Sequence, residues 1–256
     1  MAVFVSGSDE TAGKTKRDTF LFAGWVAPEE DWSRFFAPAW QERVLDGPPK
    51  IPYLHMTEMR SAKWRDKYGI SKLDADDRID EAITLIDTMP TLYPVGMRVD
   101  AGHLRDRFVT TKVKMSATTK PIAYEPDFTC FLAYVWVVLN YVDRHYEDAE
   151  KVDFVVEQNG VITKYIQDFH STIPQALTAL GSPALARLVG ELIPGGKDRV
   201  PLQAADVLCW HTARARHPET MDLADKRRYF RISRLKGIYQ QISNEQISQM
   251  ATALGV

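Results

Sequence analysis

Cysteine is nearly missing from this chain. Cys130 and Cys209 are the only two among 256 residues. Both lie in apolar stretches, which predicts buried, reduced thiols rather than a disulfide framework. No C-x-x-C and no H-x-x-x-H spacing occurs, so a zinc centre of the usual kinds is excluded. Strong charge of one sign is also lacking. A net charge of −2 excludes a basic nucleic-acid coat but says nothing of local patches. The N-terminus carries neither a basic region nor an apolar signal core, so no secretory targeting is read. The most apolar run, Cys130 to Leu139, is flanked by Asp127 and Asp143 and is too short to span a bilayer. A buried core helix, no membrane contact and cytoplasmic residence are expected. With no repeat, low-complexity tract or linker in view, residues 1–256 are read as one domain.

What is present alternates between strands and helices. Val3–Val5 and Thr19–Val26 read as strands joined by a polar turn, Gly13 to Asp18, which makes an opening hairpin. Asp9, Glu10 and Thr11 are expected just after the first strand. Pro28 to Asp31 opens a helix with acids in its first turn, and Trp32, Phe35, Phe36, Trp40 and Val44 recur at core-facing spacing. Gly47, Pro48 and Pro49 stop it, and Pro52 to Arg65 reads as irregular with one short helical turn. Asp74 to Met89 is amphipathic, its acidic first turn a capping and solvated face. Leu92 to Val99 is a strand. Glu125 to Asp127 opens a long helix to His145. Val152 to Val156 is an apolar run suited to a sheet covered on both faces. Asp153, at its start, is expected in solvent. Thr163 to Leu180 reads as a helix kinked at Pro174, Leu188 to Ile193 as a strand, and Leu202 to Arg216 as a helix. Ser243 and Gln246 form a capping box for a last helix. This order predicts an α/β fold: a mixed sheet, with helices on both faces.

Several carboxylates, remote in sequence, fall at element ends. Asp9 and Glu10 follow the first strand, Glu157 ends the apolar strand, and Asp206 stands near a helix start. In open α/β sheets ligands bind outside the carboxyl ends of strands. Carboxylates gathered there make an oxygen-rich pocket for Mg²⁺ or Mn²⁺, as in two-metal phosphodiester chemistry. Gln203 and Asp206 are three apart and share a helix face, extended by Trp210 and Arg214. The plain alternative is that both satisfy buried backbone groups.

Asp9-Glu10-Thr11, the strand Phe20-Leu21-Phe22-Ala23-Gly24, and Leu202-Gln203-Ala204-Ala205-Asp206 together carry a resemblance. The chain resembles the bacterial domain-of-unknown-function 3800 family. Its members open with Asp-Glu-Ser after a strand, follow with Phe-x-Leu-x-Gly, and carry Leu-Gln-x-Ala-Asp on a late helix. The helix with Trp32 and Trp40, and His55-Met56-Thr57-Glu58, look like the family as well. Thr11 departs from the usual Ser, and Ser6-Gly7-Ser8 leaves the register of the first carboxylate open. The resemblance implies a ribonuclease-H-like fold, with an acid on the first strand, one ending the fourth strand and one on the last core helix. It implies catalytic Asp9 or Glu10, Glu157 and Asp206, with metal at Asp9, Glu157 and Asp206, a fourth ligand in Glu58, and auxiliary Gln203 and His55.

His211 to Lys236 is locally basic. Arg214, Lys226, Arg227, Arg228 and Arg231 interleave with Tyr229 and Phe230, a pattern that can contact phosphates and stack bases. A metal-dependent nuclease is the leading expectation. A non-catalytic nucleic-acid-binding or protein-interaction module on the same fold, and a small-molecule hydrolase using the same acids, are the alternatives.

Overall fold

A computed structural model of the protein describes residues 2–12, 19–100, 126–158, 166–167, 170–179, 181–243 and 245–246, with backbone alone at 8–12, 126–129 and 179. Six strands form one mixed sheet. They are β1 (Ala2–Ala12), β2 (Thr19–Pro28), β3 (Tyr93–Asp100), β4 (Ala149–Glu157), β5 (Val189–Gly195) and β6 (Ile238–Gln241). The order across the sheet is β5-β4-β1-β2-β3-β6. β1, β2 and β3 form an antiparallel meander, whereas β4 is parallel to β1, β5 to β4, and β6 to β3.

Strand β2 shows why both faces must be covered. Phe20, Phe22 and Val26 enter one core, while Leu21, Ala23, Trp25 and Ala27 enter the other. That is the two-residue alternation of a strand with no solvent side. The first core is closed by α5 (Pro126–His145), α6 (Ile173–Ala179) and α7 (Pro183–Arg187). The second is closed by α1, a continuous helical run over 31–45, by α4 (Lys72–Thr88) and by α8 (Val200–Arg214), with α2 (Met56–Met59) and α3 (Ala62–Tyr68) beside them. Phe4, Phe22 and Phe36 are all but fully buried, and each contributes roughly 1.5–3 kcal/mol by leaving water.

Three buried indoles tie the second layer to its neighbours. Trp25 Nε1 donates to Ala204 O at 2.9 Å, Trp32 Nε1 to Val5 O at 3.0 Å and Trp40 Nε1 to Gln203 Oε1 at 2.8 Å. A buried indole N–H without a partner would be costly, so these bonds orient the rings as well as satisfy them. Phe35, expected in the core, is instead 57% exposed. The i→i−5 hydrogen bonds from Ala37 to Trp32 and from Asp46 to Gln41 widen α1 and turn that position outward.

Elsewhere boundaries shift. Ser71 and Asp74 form a capping box at α4. The region around Thr163–Leu180 does not run as one kinked helix. The chain turns at 171–172 and Pro174 sits in the first turn of α6, where a missing N–H costs nothing. Asp153 is not solvated but buried, accepting from Glu191 N at 2.7 Å and pairing with Lys151 at 3.0 Å. The Ser243–Gln246 capping box forms. The helix beyond it lies outside the described residues, as does the turn of Gly13 to Asp18. Among the described residues, no helix is long and apolar enough to cross a membrane.

Candidate functional site

Helix α8 meets the sheet by a close approach. A Cβ on Gly7 would lie 2.4 Å from Pro201 Cβ and 2.6 Å from Pro201 O. Only glycine at this position lets the first turn of α8 rest on β1. Gln203 and Asp206 follow within that turn and the next, and both are buried. Gln203 Oε1 accepts from Trp40 Nε1 at 2.8 Å and from Leu54 N at 2.9 Å. Asp206 Oδ2 accepts from Met56 N at 2.5 Å. Met56 opens α2, so the carboxylate also lies at the positive end of a helical turn. These side chains fasten segment 54–56 to α8. Among the described residues, Gln203 Nε2 has no hydrogen-bond partner.

Glu157 arrives from the sheet. It is the last residue of β4 and pairs with Gly195 on β5. Phe154 and Val156 face the α5 core, so alternation puts Glu157 on the α8 side. There Leu54, His55, Glu157, Lys197, Leu202, Gln203 and Asp206 line a small cleft. It opens where a ligand site in an α/β sheet is expected, outside the carboxyl end of a strand.

The first carboxylates need a correction. Asp9 and Glu10 do not follow β1 but lie within it, opposite Ala23 and Phe22. Ser6, Gly7 and Ser8 are weak strand formers, yet ladders on both sides hold them extended, so tertiary pairing overrides propensity. β1 is parallel to β4 with Ser8 beside Val156, and positions 9 and 157 come next in the two strands. Phe4 and Ser6 face α5, the latter bonded to the Tyr134 hydroxyl at 2.7 Å. Val5 and Gly7 therefore face α8. The side chains of Asp9 and Glu10 themselves lie outside the described residues.

Glu58, on α2, is ion-paired. Lys197 Nζ donates to Glu58 Oε1 at 3.0 Å. Burial alone would raise the Glu58 carboxyl, but the Lys197 hydrogen bond, the Tyr53 hydroxyl and the Lys197 charge hold it below its ordinary value. Lys197 is in turn raised. Burial opposes the ammonium, and the Glu58 bond, with the charges of Glu58 and more distantly Glu157, outweighs it. Lys197 was not among the residues singled out from the sequence. Its signal was a lysine in the tight connection after Gly195 and Gly196, between a strand end and α8. His55 caps α2 in extended conformation, and among the described residues its buried Nδ1 has no partner. Among the described residues, no group of three His, Cys, Asp or Glu side chains converges to hold a metal.

The basic segment folds into α9 (Leu223–Ser233), with β6 after it, and part of its charge is spent internally. The Arg228 side chain is 2% exposed. Its guanidinium donates to Asp80 Oδ1 and Oδ2 at 2.7 and 2.8 Å, to Asp76 Oδ1 at 2.9 Å, to Asp76 O at 3.0 Å and to Asp225 Oδ1 at 3.3 Å. Arg60 joins Asp76 and Asp225. Arg228 is therefore a clamp between α4 and α9 and not a phosphate contact, and Asp76 is not the solvated acid expected. Arg231 bonds Thr84 and Asp87. Arg214 donates to Thr220 O and lies 4.6 Å from the Trp210 ring centroid. Lys226 and Arg227 are exposed.

Comparison of the chain with family models, with curated proteins and with solved structures yields no match.

Proposed function

We propose that the cleft is a divalent-cation site serving hydrolysis of a nucleic-acid phosphodiester, on a ribonuclease-H-like sheet of the domain-of-unknown-function 3800 type. One observation carries the reading. Glu157 and Asp206 line one cleft, at the carboxyl end of β4 and against α8, and position 9 of β1 follows directly on the Ser8–Val156 pairing of the two parallel strands. That is the distribution of acids the family resemblance implies.

The donors suit a hard cation. Carboxylate and amide oxygens border the cleft, and neither cysteine does, which favours Mg²⁺ or Mn²⁺ over zinc. Asp9, Glu157 and Asp206 would hold it. When bound, such a cation lowers the pKa of a water and offsets charge on a phosphoryl group. The chain supplies the rest. The Met56 N–H fixes Asp206 while Gln203 anchors the same segment through the Leu54 N–H, and Leu54 and Leu202 form an apolar wall that limits water.

The test pairs cleavage with thermal unfolding. Wild type with millimolar Mn²⁺ should cut DNA or RNA and unfold at higher temperature, because a ligand bound only by the native state stabilises it. Asp206→Asn and Glu157→Gln should abolish cutting and shrink the Mn²⁺ shift. Neither cutting nor a shift in wild type would overturn the reading.

A second reading rests on the same helix. Gln203 and Asp206 each accept N–H groups from segment 54–56, which suffices for a non-catalytic interaction module. On that account Mn²⁺ shifts nothing, and Asp206→Asn costs roughly 1–3 kcal/mol without metal, by weakening a buried acceptor.

A further inference from the structure

Lys197 lies in the connection between β5 and α8. Arg199 N donates to Gly196 O at 3.1 Å, closing a turn around it. Gly195, just before that turn, is the partner of Glu157 in the sheet, and Arg199, just after it, caps the helix that carries Asp206. The turn therefore ties an ammonium to the two elements that bring the cleft its described carboxylates. Its Nζ is 3.0 Å from Glu58 Oε1 and 5.8 Å from the Tyr53 ring centroid. The side chain is 35% exposed. It is buried enough to be held and open enough to meet a ligand in the cleft.

We infer that Lys197 supplies the second positive charge of this site, so that the cleft takes a single divalent cation and Glu58 serves to hold the lysine rather than to bind metal. The inference rests on the metal reading above and refines it. Two-metal sites place ions about 3.5–4 Å apart. A second ion at Glu58 would have to displace an ammonium already paired there, and close like charges repel strongly outside bulk water. A lysine is a compact point charge with three donors, suited to meet a phosphoryl oxygen while Glu58 and the Tyr53 ring fix its stem. Glu58, expected as a fourth metal ligand, then has a different task at the same place.

The test counts bound ions on the full chain, with Mn²⁺ as the probe, by calorimetric titration and by paramagnetic resonance of free Mn²⁺. Wild type should bind one Mn²⁺. Lys197→Met keeps most of the stem and removes the charge, which releases Glu58, and it should bind two. Glu58→Gln should still bind one. The double variant Lys197→Met with Glu58→Gln should return from two to one. That return shows that the second ion needs the freed carboxylate, and the folded state of each variant is checked by its thermal transition. Two ions in wild type, or one in Lys197→Met, would overturn the inference while leaving the metal site standing. No ion in wild type would remove the metal site and this inference with it. A loss of binding in Glu58→Gln alone would make Glu58 a ligand and also overturn it.

Discussion

The cleft and the α4–α9 contact are both built from acids and bases, and they use them in opposite ways. In the contact, Arg228 and Asp225 side chains are 2% and 5% exposed, and Arg228 makes five hydrogen bonds inside the protein. Beside the cleft, Lys197 and its partner Glu58 are 35% and 25% exposed, and among the described residues the ammonium is held by one hydrogen bond and one aromatic ring. A fully satisfied guanidinium has nothing left to offer a ligand. A half-buried ammonium with a single partner does. Charge type and count are similar in the two places. What separates them is how many donors the fold has already consumed.

The strongest way to break this contrast is at Arg228. Arg228→Met removes the cation but leaves Asp76 and Asp225 in place, and a buried pair broken on one side costs roughly 3–5 kcal/mol. Urea unfolding should show that loss as a lower midpoint. Arg228→Lys should recover little, because one ammonium cannot reproduce a planar fork that reaches three carboxylates and a carbonyl. A loss near zero for the methionine variant would mean that the contact is held by Ile232 and its apolar neighbours alone.

His211 sharpens the same point through pH. It is buried, its Nδ1 lies 2.8 Å from Val207 O, and among the described residues its Nε2 has no partner. Burial, with the charges of Arg228, Arg60 and Arg214, pulls its pKa down to about 4, against the opposing bond to Val207. The ordinary value is about 6.5. Folding therefore favours the neutral ring. The stability this confers is complete above about pH 6.5 and is lost as pH falls towards 4, by roughly 3 kcal/mol. Carboxylates such as Asp222 also titrate in acid, so the measurement is a difference. Wild type and His211→Gln are unfolded in urea at pH 7.5 and pH 4.5. The wild type should lose more stability between them. Equal losses would show that the ring protonates without penalty.

How much of this was legible in sequence depends on what sets each feature. The alternation of strands and helices announced the mixed α/β sheet, because hydrophobic period is a local property. Glu157 at a strand end, and Gln203 with Asp206 on a buried helix face, were legible for the same reason. The extension of β1 through Asp9 and Glu10 was not. Ser6, Gly7 and Ser8 read as a break, and only their ladders to β2 and β4 keep the strand going. Helix α9 was hidden by its charge, since Arg228 looks like solvent-facing sequence until Asp76, Asp80 and Asp225 are seen around it. Asp153 was misplaced likewise, because its partner, Glu191 N, belongs to another strand. Polar residues satisfied at long range carry no local sign of it.

The smallest expected effect tests what remains of the basic surface. Lys226 and Arg227 are the exposed cations of α9, pointing away from the clamp that consumes Arg228. If α9 touches a nucleic-acid backbone, these two make the contact. Replacing both by alanine should leave stability within about 0.5 kcal/mol, as for surface positions away from any network. Affinity for single-stranded DNA or RNA at low salt should fall. The slope of log affinity against log salt should flatten by about 2, near one counterion per lost phosphate contact. The same titration on Arg231→Ala should change the slope less, because Arg231 is already held by Thr84 and Asp87. An unchanged slope in the double variant would make α9 a packing helix whose outer charges serve solubility, and any substrate would then have to be held at the cleft itself.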